Sequence, residues 1–150
     1  MTLLIHPATV ADLPAMMALE KRAATAAHWS AEQYQALFRA SDPGRVALIM
    51  REESDLQGFV IARVLGEEWE IENIAVAGPA RRRGLGTRLL GALLDSARAK
   101  DAAAVFLEVR ESNQVARALY EKWAFRESGR RPRYYKDPAE DAILYRIDFI

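Results

Sequence analysis

A basic segment with two glycines, from Arg81 to Thr87, is the part of the sequence best suited to hold an anion. It follows an apolar stretch that predicts a strand, and it opens an amphipathic stretch that predicts a helix. The first amides of a helix lack intrahelical acceptors, and the helix dipole adds positive potential there. Gly84 and Gly86 would let the backbone approach an anion without a Cβ in the way. The segment therefore predicts a phosphate-binding loop.

Other nucleotide-binding loops fit this segment less well. A Rossmann fingerprint needs a third glycine where this chain has Leu89, and a Walker loop needs a Gly-Lys-Ser or Gly-Lys-Thr sequence, which is absent. A plainer interpretation is a helix start interrupted by glycines, with Arg81, Arg82 and Arg83 in solvent. From the segment alone, this plainer interpretation is the better one.

The elements that would position the loop alternate along the chain. Strands are predicted near residues 3–5, 46–51, 58–64, 69–76, 105–109, 126–134 and 142–149. Helices are predicted over residues 10–24, from 30 to just before 42, from 85 through 97 and from 113 to 123. The order β-α-α-β-β-β-α-β-α-β-β predicts an α/β or α+β mixed sheet packed by helices. No repeat or linker divides the chain, so we expect residues 1–150 to form one domain.

Local patterns set the expected helix starts and strand faces. Thr9 with Asp12, and Ser30 with Gln33, have the spacing of capping boxes, and Asn113 is a further N-cap residue. Alternation in the strand near 69–76 predicts two faces, one with Trp69, Ile71 and Asn73 and the other with Glu68, Glu70 and Glu72.

The composition excludes several classes of protein. The chain has 150 residues, with 21 basic and 21 acidic side chains, so its net charge is zero and we expect no nucleic-acid partner. It has no cysteine and only two histidines, which argues against a metal site. It shows neither a signal peptide nor a stretch of about 20 apolar residues, so we expect no membrane association and a cytoplasmic location.

Several segments together resemble one enzyme family. Arg81-x-x-Gly84-x-Gly86 looks like the (Gln/Arg)-x-x-Gly-x-(Gly/Ala) motif of the GCN5-related N-acetyltransferases (GNAT). The remaining segments are similar to the bacterial ribosomal-protein-alanine acetyltransferases of that superfamily. They are Trp29-Ser30, Asn73-Ile74-Ala75-Val76, Leu107-Glu108-Val109-Arg110-x-Ser112-Asn113, Ala118-Leu119-Tyr120-Glu121-Lys122, Arg130-Arg131-x-x-Tyr134-Tyr135 and Glu140-Asp141-Ala142. The resemblance covers essentially the whole chain.

The resemblance implies a fold, a co-substrate and a set of binding residues. The fold would be a single domain with a mixed, mostly antiparallel sheet flanked by helices, and the co-substrate would be acetyl-CoA. The residues that would contact the co-substrate are Ile74, Ala75, Val76, Arg81, Arg82, Arg83, Gly84, Leu85, Gly86, Thr87 and Asn113. An amide of the strand ending at Val76 would act as the oxyanion donor.

The resemblance also implies catalytic residues. Glu108 would take a proton from the amine and Tyr120 would give one to the thiolate, while Trp29 and Tyr134 would wall the acceptor groove. Without the resemblance, Glu108 would be interpreted as a solvent-facing strand residue and Tyr120 as a helix core residue. The arginines at 130, 131 and 133 are more simply interpreted as a solvated face.

The acceptor implied by the resemblance is a protein N-terminal α-amine, in particular the N-terminal alanine of a ribosomal protein. A small amine such as a polyamine, or a non-catalytic acetyl-CoA-binding module, remains an alternative on the same fold. We expect a monomer or a weak homodimer.

Three positions depart from the family pattern. Pro79 lies one residue later than usual, and Glu72 stands where an apolar residue is usual, which bears on acceptor preference. Trp123-Ala124 replaces Leu-Gly at the end of a helix, where an alanine in left-handed geometry would cost about 1 kcal/mol.

Overall fold

The order of helices and strands is the one that the sequence predicts. The computed structural model describes residues 3–23, 29–39, 44–78, 84–136 and 138–149. The strands are β1 (Leu3–Pro7), β2 (Arg45–Glu52), β3 (Asp55–Leu65), β4 (Glu68–Val76), β5 (Ala104–Arg110), β6 (Arg126–Tyr135) and β7 (Glu140–Asp148). The α-helices are α1 (Leu13–Arg22), α2 (Ala31–Gln35), α3 (Leu85–Ala99) and α4 (Gln114–Lys122). Short 3-10 turns at Val10–Asp12 and Ala36–Phe38 extend α1 and α2.

The strands form one mixed, mostly antiparallel sheet, which confirms the predicted fold class. Their order is β1-β2-β3-β4-β5-β7-β6. Every neighbouring pair is antiparallel except β4 with β5, which run parallel because α3 makes the crossover between them. The connection of the parallel pair therefore brings the start of α3 to the end of β4.

Helices cover both faces of the sheet. On one face, α3 and α4 close a core that contains Leu89, Leu93 and Tyr120. On the other face, α1 and α2 close a second core that contains Met16, Leu19 and Tyr34. In the described part of the chain no helix is long and apolar enough to cross a membrane.

One predicted strand face is wrong, because β4 contains a β-bulge. Asn73 pairs with Ile61, but Ile71 pairs with the next residue of β3, Ala62, so β4 has one extra residue at this point. Trp69 and Ile71 therefore pack in the core under α3, whereas Asn73 faces α1 and α2. Asn73 lies on the side of Glu72 and not on the side of Trp69.

The predicted N-caps are found at two helices and shifted at a third. Ser30 and Gln33 bond reciprocally at the start of α2, at 2.8 and 3.2 Å, and the Asn113 side chain accepts from the Ala116 amide at 3.1 Å. The Asp12 carboxylate accepts from the Thr9 amide at 2.7 Å, but the turn that it caps is 3-10, so α1 begins only at Leu13.

Ala124 ends α4 in the left-handed conformation that the sequence predicts for it. Its φ is +69°, its amide donates to the Glu121 carbonyl at 3.0 Å, and the Phe125 amide donates to the Tyr120 carbonyl at 3.1 Å. These two bonds make a Schellman motif, in which glycine is the usual residue at this position. Alanine is strained here because its Cβ crowds the backbone.

We expect Ala124→Gly to stabilise the protein by about 1 kcal/mol, because glycine adopts positive φ without strain. Ala118→Gly is the matched control, since Ala118 is exposed in the interior of the same helix and should lose about 1 kcal/mol. Urea denaturation of both variants measures the difference. Destabilisation of both to the same extent would contradict the strain at Ala124.

Candidate active site

The sheet opens between β4 and β5. Their parallel ladder covers three residue pairs, from Glu68 with Ala104 to Glu70 with Phe106. Beyond it, among the described residues, β4 continues to pair with β3 as far as Val76, and β5 with β7 as far as Arg110. The ends of the two central strands therefore border a cleft in the middle of the sheet.

The glycine loop lies at the end of this cleft. Gly84 has a φ of +71° and directly precedes Leu85, the first residue of α3. A Cβ at Gly86 would lie 3.6 Å from Val76 and 3.7 Å from Leu119, so the loop meets the end of β4 and the flank of α4. These are ordinary contact distances. The fold itself therefore does not require glycine at 86, and a small residue there leaves the backbone of the loop open to a ligand.

The described part of the glycine loop suits an anion. Gly84 is the N-cap of a 15-residue helix whose first turn contains Gly86 and Thr87, and the N-terminal amides and dipole of this helix favour negative charge. The arginines at 81, 82 and 83, and Pro79, lie outside the described residues. Ile74 and Val76 pack against the core under α3, and Ala75 packs on the opposite face of β4.

Tyr120 is buried at the base of the cleft. Its ring lies 5.6 Å from that of Phe125 and 6.1 Å from that of Tyr145. Burial, and secondarily the charge of Tyr135, raises the pKa of the Tyr120 phenol well above its usual value. The hydroxyl therefore keeps its proton at neutral pH and can donate it.

Glu108 projects from β5 on the face opposite the core of Leu107 and Val109, as its alternation predicts. Its side chain is 17% exposed, and one carboxylate oxygen lies 2.9 Å from the Nε of Arg131. Tyr134, which is half exposed, bonds to the same carboxylate. The negative charge of Glu108 is the main cause that raises the pKa of the Tyr134 phenol. Glu108 is therefore a paired carboxylate and not a simple solvent-facing residue.

Tyr135 connects the environments of Glu108 and Tyr120. Burial, and then the charge of Glu108, raises the pKa of Tyr135 to about 12. The guanidinium of Arg110 lies 4.4 Å from the centre of its ring, and the same guanidinium pairs with Glu140 at 3.2 Å. Glu140 also accepts from the Ser112 amide at 2.6 Å, next to the N-cap of α4. These contacts fix the loop that carries Asn113.

A buried carboxylate connects the other side of the cleft to β4. One oxygen of Glu20 accepts from the Trp29 amide at 2.6 Å and from the Asn73 side chain at 3.1 Å. The Tyr34 phenol also bonds to Glu20, and burial raises its pKa above the usual value. The ring of Trp29 lies 5.4 Å from that of Tyr34, tilted by 56°, beside an open cavity of about 320 Å³. Trp29 therefore has a fixed place relative to the strand that borders the cleft.

Three residues of this site were not predicted. Glu20 and Tyr135 look like ordinary helix and strand residues in the sequence, and their partners are remote in the chain. Arg131 was interpreted as part of a solvated face, and it is exposed, but it also pairs with Glu108, which was not predicted. Arg130 is paired as well, with Glu111 at 2.7 Å and Asp141 at 2.8 Å.

The unusual Glu72 is neutralised by its neighbours. Its carboxylate lies 2.8 Å from the Nε of Arg45 and 4.0 Å from that of Arg63. All three residues face the side of the sheet that α1 and α2 cover. The family departure at this position therefore introduces an ion-paired carboxylate and no net charge.

Comparison with known proteins identifies the fold and the family. The model of the Acetyltransferase (GNAT) family matches residues 13–125. The chain is 38% identical over 137 residues to the [ribosomal protein bS18]-alanine N-acetyltransferase of Escherichia coli, covering 89% of this chain and 88% of the relative. The crystal structure of the E. coli ribosomal-protein-S18-alanine N-acetyltransferase superposes with a TM-score of 0.87 at 32% identity, over 98% and 94% of the two chains. The ribosomal-protein-alanine N-acetyltransferase of Brucella melitensis superposes with a TM-score of 0.84 at 25% identity, over 97% and 99%.

The fold and the family match together define an acetyltransferase. The chain belongs to the GNAT family, and it is an N-acetyltransferase whose acetyl donor is acetyl-CoA. The phosphate-binding loop that the sequence predicts and the opening between β4 and β5 fit this donor, because one end of the cleft meets a helix N-terminus. The described residues contain no group of three or more side chains that could hold a metal ion.

We expect Glu20→Gln to lower the free energy of unfolding by about 1–3 kcal/mol, because an amide replaces a buried carboxylate among three donor groups. Tyr34→Phe is the control, since it removes one donor and leaves the bonds of Glu20 to Trp29 and Asn73. It should cost about 1 kcal/mol. Thermal unfolding measures both variants. An unfolding temperature that Glu20→Gln leaves unchanged would show that the carboxylate does not stabilise this side of the cleft.

Proposed function

We propose that this enzyme acetylates a protein N-terminal α-amine, and that its acceptor is the N-terminal alanine of a ribosomal protein. The observation that supports this proposal is the 38% identity to the E. coli [ribosomal protein bS18]-alanine N-acetyltransferase over 89% of the chain. Trp29, between α1 and α2, and Tyr134, on β6, are the residues that we assign to the walls of the acceptor groove, where they would enclose an extended N-terminus.

The co-substrate would lie along the cleft with its pyrophosphate at the glycine loop. The residues that we assign to it are Ile74, Ala75, Val76, Arg81, Arg82, Arg83, Gly84, Leu85, Gly86, Thr87 and Asn113. When bound, acetyl-CoA supplies an acetyl thioester, which an amine can attack. The helix amides at residues 84–87 favour its phosphates, and an amide of the strand ending at Val76 would stabilise negative charge on the thioester oxygen.

Glu108 would remove the proton of the acceptor amine, directly or through water. Attack requires a neutral amine, and at pH 7 only about a tenth of an α-amine with a pKa near 8 is neutral. The carboxylate of Glu108 is suited to this role because it lies at the border of the cleft and is in part accessible. Its described partners, Arg131 and Tyr134, both donate to it.

Tyr120 would return a proton to the thiolate that leaves. Its raised pKa means that the phenol is protonated throughout the neutral range. Its place on α4 is fixed by the packing of Phe125 and Tyr145 against its ring. A fixed hydroxyl that carries its proton can act as a general acid, and its raised pKa makes it a weak one.

We expect Gly86→Val to weaken acetyl-CoA binding by about tenfold or more without unfolding the protein. The Cβ itself meets only ordinary contacts in the protein, and the motif accepts alanine here, but the branched side chain of valine would block the close approach of a pyrophosphate. Arg88→Ala is the control, since Arg88 is exposed on the same turn. Isothermal titration calorimetry with acetyl-CoA measures both affinities. Equal affinities of the two variants would contradict the proposed position of the pyrophosphate at Gly86.

We expect Glu108→Gln to lower kcat by a factor of about 10² or more with little change in acetyl-CoA affinity. High pH should restore much of the loss, because an α-amine with a pKa near 8 becomes neutral without a base. A lysine acceptor, with a pKa near 10.4, would be rescued only in a more alkaline medium. Tyr120→Phe is the contrasting variant, since raising the pH does not replace a missing acid. Thiol release with an alanine-initiated peptide measures these rates, and full activity of Glu108→Gln at pH 7 would remove Glu108 from the mechanism.

A further inference from the structure

Arg131 forms an ion pair with Glu108, the carboxylate that we assign as the base. Its Nε lies 2.9 Å from the Oε1 of Glu108, and its guanidinium carbon lies 5.5 Å from the ring centre of Tyr134. Tyr134 bonds to the same carboxylate. Glu108 is therefore held by one cation and one phenol, both supplied by β6.

An irregularity in β6 brings these two side chains to the same place. Residues 131 and 134 of a regular strand would point to opposite faces. Here Arg131 pairs with Ala142 and Tyr135 pairs with Glu140, so β6 has two extra residues between these pairs. Arg133, one of them, has a φ of +52°, and its amide donates to Asp141 at 2.9 Å. A non-glycine residue at positive φ is strained, and such strain is concentrated at functional sites.

We propose that Arg131 is a positioning residue that occupies Glu108 in the free enzyme and is displaced by the ammonium group of the arriving acceptor. This inference rests on the proposed role of Glu108 as the base. It adds to that role a side chain of the enzyme itself, Arg131, which competes with the acceptor amine for the Glu108 carboxylate.

A guanidinium suits this task better than other cations. It keeps its proton at every physiological pH, so it remains a cation that can pair with the carboxylate and does not give it a proton. The acceptor amine arrives mostly as an ammonium, with the same charge. Arg131 is 56% exposed, and exposed ion pairs are weak, so an incoming cation can replace it.

The other titratable groups near Glu108 lie on β4, β5, β6 and β7. Tyr134 and Tyr135 carry raised pKa values that depend in part on the charge of Glu108, and Glu70 acts on Tyr134. Arg110 and Glu140 flank Tyr135 and pair with each other. Among the described ion pairs, Arg131 is the cation that Glu108 binds.

The test compares Arg131→Gln with Arg126→Gln, which removes the same charge from an exposed residue of the same strand. In the register of β6 with β7, Arg126 lies opposite Arg146, which is four residues along β7 from Ala142, the residue opposite Arg131. Arg130 is a poorer control because it shares Asp141 with the strained Arg133. The dissociation constant of an alanine-initiated peptide is measured by calorimetry with CoA present, together with acetyl-transfer rates.

We expect Arg131→Gln to bind the peptide about two- to fivefold more tightly at low salt, since its competitor is gone, and this gain should shrink as salt is added. Alaninamide should gain by the same factor, because the competitor acts on every cationic acceptor alike. Acetyl-CoA affinity should not change in either variant.

A double-mutant cycle connects the effect to the carboxylate. In a Glu108→Gln background, Arg131→Gln should no longer tighten peptide binding, because there is no anion to release. Weaker peptide binding by Arg131→Gln would overturn the proposal, since Arg131 would then contact the acceptor itself. Equal peptide affinities of Arg131→Gln and Arg126→Gln would overturn it as well. That result would leave the proposed acetylation of a protein N-terminus unaffected. Full activity of Glu108→Gln would instead overturn the base assignment, whatever the binding data show.

Discussion

Each backbone amide and carbonyl of a buried strand needs a hydrogen-bond partner. Where a sheet opens between two of its strands, the backbone groups that face the opening need partners other than a neighbouring strand. In this protein the parallel pair β4–β5 ends at Glu70 and Phe106, while the two strands run on beside β3 and β7. The opening is possible because each strand remains fully supported on its outer side. It creates a cleft lined by backbone, beside the N-terminus of α3, and the binding of an extended, phosphate-bearing co-substrate depends on both features.

The bulge in β4 reverses which residues of this strand face each side of the sheet. Trp69 and Ile71 before the bulge, and Ile74 and Val76 after it, pack under α3, whereas Asn73 faces α1 and α2. Asn73 can then bond to Glu20, whose carboxylate also holds the Trp29 amide. A single extra residue therefore connects the wall on the acceptor side to the strand that borders the cleft. The bulge of β6 works in the same way on the opposite wall, where it turns both Arg131 and Tyr134 toward Glu108.

The sequence predicts most of the fold because its signals are local. Capping residues such as Ser30 and Asn113, and the strained Ala124, depend on neighbours within a few positions. The two bulges could not be predicted, because they arise from the register between strands and leave the pattern of burial almost intact. Asn73 is buried as alternation predicts, yet on the wrong face. The partners of Glu20 and Arg131 were missed for the same reason, since those contacts join residues 53 and 23 positions apart.

Three carboxylates near the cleft have different surroundings, and the difference supports one of them as the base. Glu20 is almost fully buried and bonded to fixed amide groups, so it cannot reach an incoming amine without breaking the wall. Glu72 is held between Arg45 and Arg63, and the nearer of them is only 24% exposed. Glu108 has a partner that is 56% exposed and can move into water at little cost. A base must be ionised before the acceptor arrives and free once it has arrived, and a carboxylate with a replaceable cation meets both conditions.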